Sequence, residues 1–221
     1  MLRLPSPWES ASETSKTDNI REAPDLAPLF TGRKFMGHGD CTWPGSEIER
    51  EYHDNEWGAE LHDDRKLFEF LILDTFQAGL SWKTILNKRE NFRKAFDCFD
   101  PKKISEYDDI KLEELMQDTG IIRNRLKIQG AVKNAKAYLN VRDEFGSFDS
   151  YIWSFVGNKS IVSSINGPED YRVTCPESDM MSKDMKKRGF AFCGSTICYA
   201  FMQAAGLVND HLNTCAYKNR I

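Results

Sequence analysis

The stretch ELMQDTGIIRNRLKIQG, residues 114–130, places two helical patterns on either side of a short turn. The first pattern ends at Gly120, and the second begins near Arg123. Glycine in such a turn permits a positive φ or the close approach of another chain, and the unpaired N–H groups of the following helix can bind an anion. We interpret the stretch as a helix-hairpin-helix, although an ordinary turn between helices is the alternative. The residues expected to form its anion site are Gly120, Ile121, Arg123, Arg125 and Lys127.

The pattern on both sides of this stretch is helical from Cys41 onward, so we predict an all-α fold. Asp63 and Asp64 can cap a helix that runs through Leu67, Leu71 and Asp74. Ser81 can start the next helix, with apolar residues facing inward and basic residues, Arg89 among them, facing outward. The best strand candidate, SIVSSI at 160–165, is short. Residues 1–38 contain Pro, Ser, Thr and mixed charge without periodicity, which predicts a mostly disordered extension. Residues 39–221 are predicted to form a single domain.

Charge is distributed unevenly along the chain, although the net charge is only −4. Gly39 to Phe76 carries 11 acidic and 3 basic residues, whereas Gln77 to Arg142 carries 14 basic and 9 acidic residues. A basic middle third is typical of a one-sided nucleic-acid footprint, and solvated helix faces are the alternative. No apolar run approaches the roughly 18 residues of a membrane span, so no membrane partner is expected.

Two His and two Cys residues have spacings that suit a metal. Cys41 precedes His53 by twelve positions, and HLNTC places His211 four positions before Cys215. On a helix the second pair would share one face. Two Cys and two His fill a zinc tetrahedron, which predicts one structural zinc that joins the two ends of the domain. Isolated surface histidines and core cysteines are the alternative.

The segment LFEFLILDTFQAGLSW, residues 67–82, is nearly all apolar yet contains Asp74. A buried carboxylate needs a partner in the fold or in a ligand. Several large aromatic residues surround the predicted metal ligands and this segment: Trp43, Tyr52, Trp57 and Trp82. Core packing accounts for any one of them, but together with a buried acid they indicate a stacking box for a flat ligand.

Several motifs resemble those of the 3-methyladenine DNA glycosylase I family: YHDNEWG, QAGLSW, KRENFR, GIIRNRLKIQ, WSFV, SKDMKKRGF and TICYAFMQAAGLVNDH, followed by the H-x3-C pair. The resemblance runs from Cys41 to Cys215. It implies a helix-hairpin-helix glycosylase fold, a zinc tetrad of Cys41, His53, His211 and Cys215, and a base pocket. The pocket acid in this family is usually glutamate, whereas this chain has Asp74, one methylene shorter.

The resemblance also implies a function. It predicts a monofunctional DNA repair enzyme that flips N3-methyladenine out of alkylated double-stranded DNA and hydrolyses its N-glycosidic bond, leaving an abasic site. The implied catalytic residues are Asp74, Tyr52 and Trp82, and the implied substrate-binding residues are Trp43, Trp57 and Leu80. Leu80 is the candidate wedge for the vacated base stack, with a core leucine as the alternative. We expect a monomer in the cytoplasm, associated with the nucleoid if the source is bacterial. A non-catalytic protein that binds alkylated DNA is the alternative that Asp74 raises.

Overall fold

Ten consecutive residues, 67–76, are buried in one helix, so this helix is surrounded by others. The computed structural model describes residues 41–219, and the extension predicted over 1–38 lies outside them. The helices are α1 (Glu47–Asn55), α2 (Asp64–Gln77), α3 (Trp82–Ala95), α4 (Pro101–Ser105), α5 (Asp109–Gln117), α6 (Arg125–Phe145), α7 (Phe148–Ser154), α8 (Pro176–Lys187) and α9 (Ser195–Ala204). Two short 3₁₀ helices cover Asp97–Phe99 and Pro168–Asp170. The prediction of a mostly helical protein is confirmed.

Helix α2 is the centre of the core and packs against α3, α6, α7 and α9. Its start is fixed as predicted, because the Asp63 side chain accepts a hydrogen bond from the Lys66 N–H. Ser81 caps α3 in the same way through the Thr84 N–H. Since α2 is covered on all sides, Asp74 in its last turns is only 2% exposed. Within residues 41–219 no helix is both long and apolar enough to cross a membrane.

Helices α5 and α6 are joined by a turn over residues 118–124. Gly120 has no positive φ; instead, a Cβ atom there would lie 2.9 Å from Asp118 Oδ1 and 3.1 Å from the Asn91 Cβ. Lys88 of α3 donates to the carbonyl oxygens of Thr119 and Gly120 at 3.0 and 3.1 Å. The glycine therefore allows close packing against α3 of the same chain, and the approach of another chain stays a prediction.

A small parallel sheet joins the segment after α7 to the segment after α9. Strand β1 (Ile161–Val162) pairs with β2 (Val208–Asn209), and a further bridge links Ile165 to Leu212. The strand candidate at 160–165 is thus confirmed. His211 and Cys215 follow β2 in a succession of turns. The prediction that they share a helical face is wrong, because the strand pairing holds this segment in a non-helical conformation.

Arg89 was predicted to face solvent from α3, and this prediction is wrong. Its side chain is 13% exposed. It donates to both carboxylate oxygens of Glu56 at 2.7 and 2.8 Å, and to Glu69 at 2.6 Å. Glu56 follows α1 directly and Glu69 lies on α2. The ion-pair network therefore fixes α1 against α2 and α3. The bidentate contact of Arg89 with Glu56 depends on how the helices pack, which helix periodicity does not reveal.

Candidate functional site and metal centre

The predicted metal ligands come together in the structure, and all are buried. The four ligand atoms of Cys41, His53, His211 and Cys215 lie within 4.8 Å of one another. His211 Nδ1 is 3.1 Å from His53 Nε2, 3.6 Å from the Cys41 sulfur and 3.5 Å from the Cys215 sulfur. A tetrahedral metal with bonds of about 2.0–2.3 Å requires separations of about 3.3 Å between nitrogens and about 3.6 Å between nitrogen and sulfur. The group therefore has the dimensions of a four-coordinate metal site.

The outer nitrogens of both histidines support the same conclusion. His53 Nδ1 donates to Asp54 Oδ1 at 2.7 Å, since a carboxylate only accepts. His211 Nε2 donates to the Trp57 carbonyl at 3.0 Å. The remaining nitrogens then point their lone pairs at each other across 3.1 Å, an arrangement that a cation between them would stabilise. Gly58 leaves room for the second histidine, because its Cβ would lie 2.9 Å from His211 Nε2.

The predicted aromatic residues form a continuous cluster beside the metal ligands. The Trp43 ring lies 5.1 Å from Trp57 and 6.3 Å from Tyr52 between centroids, and Tyr52 lies 5.2 Å from Trp82. Trp57 also packs at 4.6 Å on the ring of His211. Trp57 is thus the ring between the metal ligands and the box, while Trp43, Tyr52 and Trp82 line the box itself.

Unpaired polar atoms distinguish this cluster from ordinary core packing. Among residues 41–219, Trp43 Nε1, Asp74 Oδ2 and Trp82 Nε1 are buried without a hydrogen-bond partner. Buried polar atoms are normally paired, so each unpaired one requires an explanation. Two indole donors and one carboxyl acceptor in a single aromatic cluster are the groups that a flat, polar-edged ligand would satisfy.

The electrostatics of Asp74 follow from its burial. Desolvation raises the pKa of its carboxyl well above the ordinary value of 3.8. The pKa of the Tyr52 phenol is also raised, chiefly by burial and next by the Asp74 charge. This charge also contributes to the raised pKa values of the Cys193 and Cys198 thiols, again after burial. The acid is therefore within electrostatic range of the Tyr52 phenol and of two thiols near the start of α9, which no sequence spacing had indicated.

Leu80 lies in the four-residue connection between α2 and α3, directly before the cap of α3. Its N–H donates to the Gln77 carbonyl at 2.6 Å, and its side chain is half-buried against the core. The preceding Gly79 is exposed. The position next to Trp82 agrees with the predicted wedge, and the partial burial agrees with the core alternative, so the wedge remains a prediction.

The predicted anion site is only partly formed as expected. Arg123 is exposed, and exposed Arg125 pairs with Glu113 at 2.6 Å. Ile121 is buried, and the Gly120 N–H is taken by Asp118 Oδ1 at 2.7 Å. The hairpin N–H groups without an acceptor in the described chain are those of Thr119, Ile122 and Arg123.

Lys127 was predicted to contact the anion, and the structure contradicts this. Its side chain is buried, and Nζ donates to the carbonyls of Phe76 at 2.9 Å and Ala78 at 2.6 Å. The reason is helix phase: Lys127 lies on the face of α6 that packs against the end of α2. A cation is favourable there, since the last carbonyls of α2 lack partners within the helix.

Comparison with known proteins agrees with this architecture. The family model described as "Methyladenine glycosylase" matches residues 43–219. The chain is 48% identical to a DNA-3-methyladenine glycosylase of Haemophilus influenzae over 179 residues, which is 80% of this chain and 97% of that protein. It is 47% identical to DNA-3-methyladenine glycosylase 1 of Escherichia coli, covering 79% of this chain and 94% of the relative.

Solved structures with a similar fold are also 3-methyladenine DNA glycosylases. A crystal structure of 3-methyladenine DNA glycosylase I superimposes with a TM-score of 0.78 at 46% identity, covering 80% of this chain and 98% of the other. The Staphylococcus aureus enzyme, solved for the basis of its 3-methyladenine recognition, superimposes with a TM-score of 0.78 at 34% identity, covering 80% and 94%. The fold is that of a glycosylase that acts on alkylated bases. The chain belongs to the methyladenine glycosylase family.

Proposed function

We propose that this protein is a monofunctional DNA glycosylase that flips N3-methyladenine out of alkylated double-stranded DNA and hydrolyses its N-glycosidic bond. The observation that carries the proposal is the unpaired Oδ2 of buried Asp74, whose charge acts on the Tyr52 phenol, together with the packing of Tyr52 on the Trp82 ring. A related enzyme has been solved in complex with 3-methyladenine. A flipped purine offers a flat face to the rings and a polar edge to the acid.

The chemistry requires recognition more than acid catalysis. An adenine methylated at N3 is cationic and departs as a neutral base, so its glycosidic bond is already weak. Trp82 stacks on the cation, a contact worth about 0.5–2 kcal/mol. Tyr52, whose ring is tilted by 56° to that of Trp82, can add a hydroxyl contact to the base. The protein's main tasks are therefore to extrude the nucleotide and to hold it among rings that exclude water.

Asp74 makes the site selective for adenine over guanine. Adenine carries an N6 donor where guanine carries an O6 acceptor. The carboxyl group accepts from N6, whereas a guanine edge would leave a buried charge facing an oxygen. Burial disfavours the ionised acid in the free protein. A cationic base offsets that cost because its positive charge favours the carboxylate. The site thus favours a positively charged adenine over a neutral one.

The contacts of two lysines of α6, Lys127 and Lys133, give no support to lyase activity and so favour a monofunctional enzyme. Lyase activity needs an amine nucleophile that attacks the sugar. Lys127, on the helix after the hairpin, has its ammonium bound to two carbonyls at the end of α2. Lys133, further along α6, is exposed. Within the described part of the chain, water is therefore the better candidate for the acceptor of the glycosyl group.

We further propose that the metal is one structural zinc and that the α5–α6 turn is a helix-hairpin-helix. A Cys₂His₂ set that is buried and complete leaves no open position for substrate, which is the donor chemistry of structural zinc. The N–H groups of Ile122 and Arg123, with the first-turn N–H groups of α6, suit a DNA phosphate. The exposed Arg123 side chain adds a charge to the same site.

The test is release of free bases from DNA treated with a methylating agent, resolved by chromatography. We expect 3-methyladenine as the main product, strands that break only after alkali, and no borohydride-trapped adduct. Trp82→Ala should lose activity, whereas Phe145→Ala, which removes an aromatic ring 37% exposed outside the box, should not. Binding without release would instead establish the non-catalytic alternative.

A further inference from the structure

Lys127 contacts both the hairpin and the end of α2, the two parts of the molecule that the proposed function uses. Its backbone N–H is held at 3.1 Å by Asn124, which ends the hairpin and caps α6. Its ammonium holds the carbonyls of Phe76 and Ala78, at the end of α2. One residue therefore connects the hairpin to the α2–α3 connection, which we define as residues 78–81.

The ammonium has no role in charge pairing. Among the described residues no carboxylate pairs with Lys127, and burial lowers the pKa of its ammonium. Burying a lysine without a counter-ion is costly, so its contacts must offset that cost. Helix α2 has no basic residue in its last turn. Lys127 satisfies from outside the carbonyls that the end of α2 leaves unpaired.

The α2–α3 connection is the segment whose position matters for the site. It follows the helix that carries Asp74 and precedes Trp82, the first residue of α3. Leu80, the predicted wedge, lies within it. A shift of this connection would move the wedge relative to the hairpin, while Asp74 and Tyr52 would stay in the core.

We propose that Lys127 is a positioning residue for base extrusion, which fixes the α2–α3 connection at a set distance from the hairpin. When the hairpin binds a DNA phosphate, the wedge residue Leu80 is then aligned with the base stack. The ammonium makes no contact with DNA, so it differs in kind from Arg123. This inference rests on the proposed function, because it assigns a task within the extrusion step.

The experiment compares Lys127→Met with Lys127→Arg and Arg123→Met in the full chain. Single-turnover release of 3-methyladenine from methylated DNA measures the overall rate. Wedge insertion is measured as the fluorescence of 2-aminopurine next to a tetrahydrofuran abasic analogue in a duplex. Binding of free 3-methyladenine is measured by quenching of tryptophan fluorescence, and the salt dependence of duplex binding reports phosphate contacts.

For Lys127→Met we expect release to slow about 10–100-fold, the scale of a misplaced positioning contact. The 2-aminopurine signal should fall, while free-base affinity and the salt slope stay unchanged. Lys127→Arg keeps the donors and should recover part of the rate. Arg123→Met should show the opposite pattern: a flatter salt slope with an unchanged 2-aminopurine signal. If Lys127→Met does not fold, Lys127→Gln, whose amide still donates, takes its place.

Three results would overturn the inference: an unchanged release rate, a salt slope that falls as in Arg123→Met, or a loss of free-base affinity that matches the loss of rate. The proposed function fails separately, if the wild-type chain releases no base. In that case the 2-aminopurine measurement still shows whether Lys127 positions the wedge.

Discussion

Tyr52 and His53 are consecutive residues of α1 that belong to different sites. Tyr52 lies 5.2 Å from the Trp82 ring in the aromatic box, whereas His53 Nε2 lies 3.1 Å from His211 Nδ1 among the metal ligands. Successive helix residues point in directions about 100° apart, so one helix can serve both sites. Whatever fixes His53 also fixes the position of Tyr52. A metal bound by these residues would thus support the box without facing its ligand.

Removal of a metal ligand should therefore reduce stability first. Cys215→Ala breaks a buried four-ligand site, a class of change that costs more than about 4 kcal/mol and lowers the melting temperature by more than about 8 °C in a chain of this size. Cys98→Ala removes an exposed cysteine and is the control. Calorimetry measures both variants, and elemental analysis of the wild type should find one zinc per chain. A wild type that contains no metal and loses no stability with chelators would contradict the assignment.

Asp74 should make the folded protein less stable as the pH rises. Its pKa is raised by burial in the folded state from the 3.8 expected when unfolded. Between the two pKa values the folded state binds more protons, so the free energy of unfolding falls with increasing pH. Asp74→Asn should melt above the wild type at neutral pH, with a difference that shrinks towards about pH 4. Exposed Asp143→Asn is the matched control, and a constant difference across the pH range would show that Asp74 does not titrate in this way.

The same substitution should also reduce selectivity. Asp74→Asn removes the repulsive charge and allows the amide to donate to guanine O6. We expect the preference for 3-methyladenine over 3-methylguanine to fall by roughly tenfold or more, since a hydrogen bond to a charged group is worth about 1.5–3 kcal/mol. Single-turnover release of each base measures the ratio. An unchanged ratio in a folded variant would mean that the carboxyl serves the fold alone.

Trp82 should affect both purines alike. Stacking depends on the face of the base and not on its edge, so Trp82→Ala should slow release of 3-methyladenine and 3-methylguanine by a similar factor. Base–aromatic stacking of about 1–3 kcal/mol corresponds to roughly 5–150-fold. Trp82→Phe should recover much of the rate because it restores an aromatic face. A variant that loses only one of the two activities would show that Trp82 reads the purine edge.

Arg123 should contribute to DNA binding without regard to sequence. Each phosphate contact adds about 0.9 to the salt slope of binding to B-DNA, so Arg123→Glu should flatten the slope and weaken binding to every duplex. Arg142→Glu, on an exposed residue at the far end of α6, is the control. Fluorescence anisotropy at several salt concentrations measures both variants. An equal effect of the two substitutions would place the DNA contact elsewhere.

The sequence predicted which residues come together at the site better than it predicted the secondary structure that holds them. Cysteine and histidine spacing led to the metal ligands because metal chemistry restricts which residue types can serve. It also predicted a helix for the H-x3-C pair, where the pairing of β1 with β2 imposes turns. That pairing joins segments distant in the chain, so local periodicity carries no sign of it.

The sequence also failed to predict that two basic residues are buried. Arg89 and Lys127 both lie in helices with exposed basic neighbours; Arg89 was predicted to face outward and Lys127 to contact an anion. Each is buried because acceptors from other helices meet it: two carboxylates in one case and two carbonyls in the other. Carbonyl acceptors are present in every helix and leave no mark in the sequence, so only the packing of α6 on α2 reveals the role of Lys127.

The metal ligands also set an order of events during synthesis on the ribosome. His211 follows Cys41 by 170 residues, and every helix from α1 to α9 is translated between them. A nascent chain can collapse around α2 before this, but α1 stays without its last anchor until Cys215 has left the exit tunnel. Products of interrupted translation would then contain the α5–α6 turn and an aromatic box in which α1 is not fully anchored. The activity is thereby tied to completed translation of this segment.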